Sequence, residues 1–228
     1  MIFLPYTHKM KRPLLFLSFT ILASCGQPSG KSDGSASTNA APASAKPVDT
    51  LQNIISANIS KQPTVDTTFA GFTFSMTKEQ ATAHYIQLVK DKKMILDDQS
   101  KQYNYPLTFD LVKANAVIAP EFSDNKLYKL SLVITPAEDL ATDETVFLQA
   151  STTYMQKYAN NGFTLYQKTD VFGTEKEFHW IKNNLQIFLH KSVGATIVSY
   201  INMPVDQVVN KNKQQAKDSS KVQTNKDI

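Results

Sequence analysis

Glu177-Phe178-His179-Trp180-Ile181-Lys182-Asn183-Asn184-Leu185-Gln186-Ile187-Phe188-Leu189-His190 reads as a β-hairpin. Asn183-Asn184 suits a two-residue turn with positive φ at both positions, and apolar side chains alternate on either side of it. The register this turn imposes sets Trp180 opposite Ile187 and Phe178 opposite Leu189 on one face. On the other face it sets His179 opposite Phe188 and Glu177 opposite His190. Further strands are expected near 163–168 and 196–202. The stretch before them, about 144–160, spaces Phe147, Ala150, Tyr154 and Tyr158 as the buried stripe of a helix. Asn161-Gly162 then offers a left-handed C-terminal cap, and Lys157 complements the negative end of the helix dipole.

Working back from this unit, the chain shows a similar order of elements. Phe69-Ala70-Gly71-Phe72-Thr73-Phe74 reads as a short extended segment. Thr77 caps a helix and Gln80, three residues on, completes a capping box. Ala81, Tyr85, Leu88 and Val89 form its buried stripe. Tyr103, Tyr105, Leu107, Phe109 and Leu111 alternate as a strand in which Pro106 marks an edge or an end. Ser123-Asp124-Asn125-Lys126 is a hairpin turn by composition, and Tyr128, Leu130, Leu132 and Ile134 share one face of the strand after it. A helix followed by antiparallel strands, occurring twice, predicts an α+β two-layer fold with the helices on one face of a twisted sheet. Its units are expected at about 69–135 and 143–203, inside a single domain spanning 49–207.

Ser75-Met76-Thr77-Lys78-Glu79, with Leu127-Tyr128 in the later strand, resembles the small outer-membrane assembly lipoproteins. The duplicated element order resembles β-lactamase-inhibitor-protein-like folds. The chain departs from both patterns: no glycine precedes Met76, and the cysteine pairs common in the inhibitor folds are missing. These resemblances bear on the fold, and a function carried over from them is analogy at the level of the fold alone.

Ahead of the domain, the basic residues Lys9, Lys11 and Arg12 precede an apolar run from Leu14 to Leu22 that closes on Leu22-Ala23-Ser24-Cys25. This layout resembles the type II signal peptide and lipobox of bacterial lipoproteins. The resemblance implies cleavage between Ser24 and Cys25, so that 1–24 is the signal peptide, and lipidation of Cys25. An ordinary secretory signal accounts for the apolar run but not for the cysteine at its end, and the run is too short to span ~30 Å of hydrocarbon. Cys25 is the single cysteine of the chain, so no intrachain disulfide is expected. Residues 25–48 then read as the lipidated cysteine and a flexible tether, rich in Ser, Ala, Gly and Pro, with a reach of roughly 25–30 Å. By the sorting rule of enteric lipoproteins, Gly26 after the cysteine implies the outer membrane, with the domain facing the periplasm or the cell surface. Residues 208–228 read as a disordered basic tail.

The chain holds 24 Lys and Arg against 20 Asp and Glu, and removing Lys9, Lys11 and Arg12 leaves 21 against 20. Within 49–207 the balance is 14 basic to 17 acidic residues, which argues against a nucleic-acid partner. Serine-hydrolase elbows, phosphate loops and paired zinc cysteines do not occur, and no cofactor is implied. Glu177, His179 and His190 share one face of the hairpin. The functional reading is a metal or hydrolytic site, and the plainer one is a cross-strand ion pair beside packed imidazoles. The expected helix-covered face carries Tyr128, Leu130, Trp180, Ile187 and Ile197. The opposite face is expected to present Tyr166, His179, Phe188, His190 and Tyr200, a set too aromatic for a plain solvated surface and suited to an envelope protein or polymer. The competing expectation is that the segment around Leu51, Ile54 and Ile55, or a second copy, covers that face. Sequence therefore favours a membrane-anchored, non-enzymatic binding module, with a small hydrolase or ligand-binding enzyme around His179 and His190 as the alternative.

Overall fold

A computed structural model describes residues 50–98, 100–137, 141–170 and 176–224, with side chains to 218. Eight antiparallel strands form one sheet: β1 (Ile95–Leu96), β2 (Tyr103–Phe109), β3 (Val112–Ser123), β4 (Lys126–Pro136), β5 (Thr164–Thr169), β6 (Lys176–Lys182), β7 (Leu185–Ser192) and β8 (Ala195–Asn202). Their spatial order is β1-β2-β3-β4-β8-β7-β6-β5, so the last strands of the two chain halves pair at the centre. Among the described residues four helices accompany them: α1 (Thr50–Asn58), α2 (Lys78–Lys90), α3 (Asp143–Tyr158) and α4 (Met203–Thr224). The fold is α+β.

Local chemistry accounts for most of these elements. Thr77 and Gln80 make a reciprocal capping box on α2, and the Thr142 side chain accepts from Thr145 N at the start of α3. Asp124 and Asn125 both take positive φ, 47° and 57°, in the tight turn between β3 and β4. The Asn183-Asn184 turn differs from its expectation, because Asn183 alone has positive φ, 51°. Asn184 is instead buried, with its amide bonded to both backbone groups of Val65. Phe69–Phe74 is likewise not a strand: Ala70 and Gly71 take positive φ, and the loop closes on a single Thr67–Thr73 bridge.

The main core lies on one face of the sheet. Ala81 and Leu88 of α2, and Val146, Phe147, Ala150, Tyr154 and Tyr158 of α3, pack with Leu130, Leu132, Trp180, Ile187 and Leu189. The β6–β7 register is the expected one, Trp180 with Ile187 and His179 with Phe188. The face expected for β8 is reversed. Tyr200 pairs with Ile187 and Leu130, and Val198 with Leu189 and Leu132, so both belong to this core, and Tyr200 is 1 % exposed. Ile197, expected here, pairs with His190 and Val133 and points to the second face. A one-residue change of register exchanges every side chain between faces, and the register here is set by the Val193-Gly194 turn, with Gly194 at φ 72°.

Tyr128 moves to the second face for another reason. A bulge between Glu121 and Phe122 pairs Phe122 with Leu127 and Glu121 with Lys129, leaving Tyr128 as the extra residue. Its hydroxyl donates to Glu121 at 2.8 Å, and the Lys129 ammonium meets the same carboxylate at 2.8 Å. Burial, followed by this carboxylate, pushes the Tyr128 phenol up to about 12.

Helices occupy both sides of the sheet. Gln52 and Ile55 of α1 and Met203, Asp206 and Asn210 of α4 surround Gln186, a second-face residue, and Ile181, Ile201 and Met203 are buried there. The 208–228 segment, expected to be disordered, continues α4 as helix to Thr224. Pro204 and Asp206 suit the first turn, and the Lys, Gln and Ala that follow are good helix formers. Residues 211–218 are all exposed, and a fully solvated helix has the same polar composition as an unstructured tail.

Candidate functional site

Antiparallel pairing lines up the second-face side chains in rows across the strands. One row, Glu121, Lys129, Ile201, Gln186 and Ile181, lies beneath α1 and the first turns of α4. The next runs Ala119, Ser131, Ser199, Phe188, His179 and Tyr166 from β3 to β5. Beyond it come Val117, Val133, Ile197, His190, Glu177 and Lys168. Of the five aromatic residues expected to form a binding face, Tyr166, His179, Phe188 and His190 are thus brought together, and Tyr200 is not. Cys25 and Ser24 lie outside the described residues.

The four rings pack on one another. Phe188 is sandwiched between His179, at 4.5 Å and 9°, and His190, at 4.4 Å and 17°. Tyr166 meets the outer side of His179 at 5.7 Å. His179 is 4 % exposed, and its Nδ1 is 2.8 Å from Gln186 Nε2. With the amide nitrogen donating, Nδ1 is the acceptor and the ring proton sits on Nε2. That Nε2 has no hydrogen-bond partner and stands 3.7 Å from Glu177 Oε2, beyond hydrogen-bond range. His190 Nδ1 is also buried without a partner. Burial is the largest influence on both imidazoles and lowers both pKa values; Glu177 opposes it and does not win. Both rings are therefore held neutral at pH 7.

This packing limits the chemistry. Phe188 stacks on both imidazoles and so stands between the two rings. Among the described residues no three His, Cys, Asp or Glu side chains gather where they could hold a metal. A 550 Å³ cleft open to solvent adjoins His190, lined also by Lys176, Glu177, Lys191 and Ser192. Of the charged groups lining it, Lys191 pairs with Glu144, and Glu177 faces Lys168 at 3.8 Å. What the row offers is two half-buried rings, Tyr166 and Phe188, edged by an ion pair and an amide.

Gln186, buried and bonded to His179, belongs to this face by the period-two alternation Gln186, Phe188, His190. Compared with models of protein families, with curated proteins and with solved structures, the chain matches none.

Proposed function

We propose that this chain is a lipid-anchored protein of the bacterial cell envelope whose folded part binds a partner and catalyses nothing. The observation that carries the reading is Cys25, the single cysteine, placed after three basic residues, an apolar run and Leu22-Ala23-Ser24. Among the described residues no helix is long and apolar enough to cross a membrane, which leaves the acyl chains as the means of attachment this reading needs. Gly26 directs the anchor to the outer membrane, and the binding surface is the row of Tyr166, His179, Phe188 and His190. The wedge of Phe188 between the two neutral histidines disfavours the hydrolase alternative, because a nucleophile, base and orienting group must meet within hydrogen-bond reach.

The fold is further read as an internal duplication. One helix and four strands, α2 with β1–β4, are followed by one helix and four strands, α3 with β5–β8. The sheet order, with β4 and β8 central and β1 and β5 outermost, is what a two-fold repeat would produce. Both repeat helices contribute to one core cluster, in keeping with their placement on one face.

The anchor is tested by labelled palmitate: incorporation is expected in the native chain and lost in Cys25→Ser, and undiminished labelling in the variant refutes the assignment. A photo-crosslinking residue replacing Phe188 in intact cells is expected to join the protein to another envelope component. Crosslinks from Leu148, on α3, but not from Phe188 would place the binding surface elsewhere.

A further inference from the structure

The sheet has two outer edges of unlike character. At one, β1 is two residues long, and β2 behind it carries Pro106, which has no N–H to offer. At the other, β5 presents six residues that among the described residues are paired on one side only, in unbroken register with β6 from Thr164–Ile181 to Thr169–Lys176. Natural sheets blunt such an edge with proline, a bulge, an outward charge or a very short strand. Thr164–Thr169 has no proline and no bulge, and its single charge, Lys168, faces Glu177 within its own sheet at 3.8 Å. Every side chain but Tyr166 is exposed, including Leu165 at 45 %. The outward N–H and C=O groups of this strand can be satisfied by water, by side chains or by the backbone of a further strand, and the last of these takes the whole row at once.

We propose that the occupant is β5 of a second copy of this chain, paired antiparallel across a two-fold axis at Tyr166. The strand is its own complement. An axis normal to the sheet keeps the faces, so residues of like parity meet: Tyr166 with Tyr166, Leu165 with Gln167, Thr164 with Lys168. No like charges are opposed in this register, and each Lys168 keeps Glu177 beside it. The aromatic row then doubles, running Phe188, His179, Tyr166 and on into the same three residues of the second copy. The inference deepens the binding reading above by making the row continuous over two chains, and the two stand or fall separately. A lipid anchor would favour the pairing further, because copies held in one membrane plane meet at high effective concentration.

Cys25 is the sole cysteine, so a Cys25→Ser background allows single-thiol tests. The Cys25→Ser chain is expected to sediment as a dimer. Adding Tyr166→Cys should form a disulfide-linked dimer under mild oxidation at least about tenfold faster than Leu148→Cys, a more exposed position on α3. Tyr166→Lys should give a monomer, and mixing it with Tyr166→Glu should restore a dimer, which shows that the single variants remain folded. A monomeric parent at concentrations well above micromolar overturns the proposal, as do equal oxidation rates at 166 and 148. So does a dimer indifferent to Tyr166→Lys, which must use another surface. Phe188 crosslinks to a different envelope component with a monomeric parent would leave the binding reading in place and remove the pairing.

Discussion

Tyr154 of α3 and Tyr200 of β8 meet hydroxyl to hydroxyl at 2.9 Å inside the main core, with 6 % and 1 % of their surfaces exposed. Burial holds both phenols well above their ordinary pKa. Removing one oxygen leaves the other hydroxyl buried without its partner, a penalty of ~1–3 kcal/mol. Tyr154→Phe and Tyr200→Phe should each fall within that range. Removing both hydroxyls leaves neither stranded, so the double variant should be less destabilised than the sum of the singles by ~1 kcal/mol or more. Urea unfolding followed by tryptophan fluorescence reads this directly, since Trp180 is the only tryptophan and its ring is 5.8 Å from that of Tyr154. Single-variant effects that add within ~0.3–0.5 kcal/mol would show that the hydroxyls do not depend on each other.

Two further outcomes follow from the same packing. Trp180→Ala should destabilise by ~3–5 kcal/mol, because the ring is 1 % exposed and stacked on Phe178 at 5.8 Å and 14°; a loss below about 0.5 kcal/mol in the same urea titration would mean that this face is not the core. Stability should also fall with acid through His179 and His190. Burial lowers both folded pKa values, so the unfolded chain binds protons at higher pH than the folded one; stability is complete above about pH 6.5 and declines as pH drops toward the lower folded values. A His179→Phe/His190→Phe variant should show a shallower slope over this window, and an unchanged slope would refute the assignment.

Short-range chemistry was the legible part of the sequence. The β6–β7 register followed from a two-residue turn between alternating segments, and the α2 capping box from Thr77 and Gln80, because each signal lies within a few residues of what it determines. Tyr200 shows where this fails. Its face depends on how β8 docks on β7 and β4, and Ile197-Val198-Ser199-Tyr200-Ile201 is apolar on both faces, so alternation could not choose between them. β3 gives a weak strand signal around Ala114, Ala116 and Ala119, which are not β-branched, although Ala114 and Ala116 are buried. That Tyr166, His179, Phe188 and His190 share one face was readable from alternation. That Phe188 would separate the histidines was a matter of stacking geometry that spacing does not carry.

The Asn183-Asn184 turn also has a mechanical meaning. Asn183 Nδ2 donates to Pro63 O at 2.6 Å, and the Asn184 amide bonds Val65 N and O, so the chain leading from α1 is buttoned to the tip of the hairpin. A pull entering at Thr50 must first strip α1, of which Asn58 is the buried residue, and then break these bonds before any load reaches Phe72 in the core. These three bonds tie the chain between α1 and Val65 to the hairpin tip, two of them loaded together at Val65.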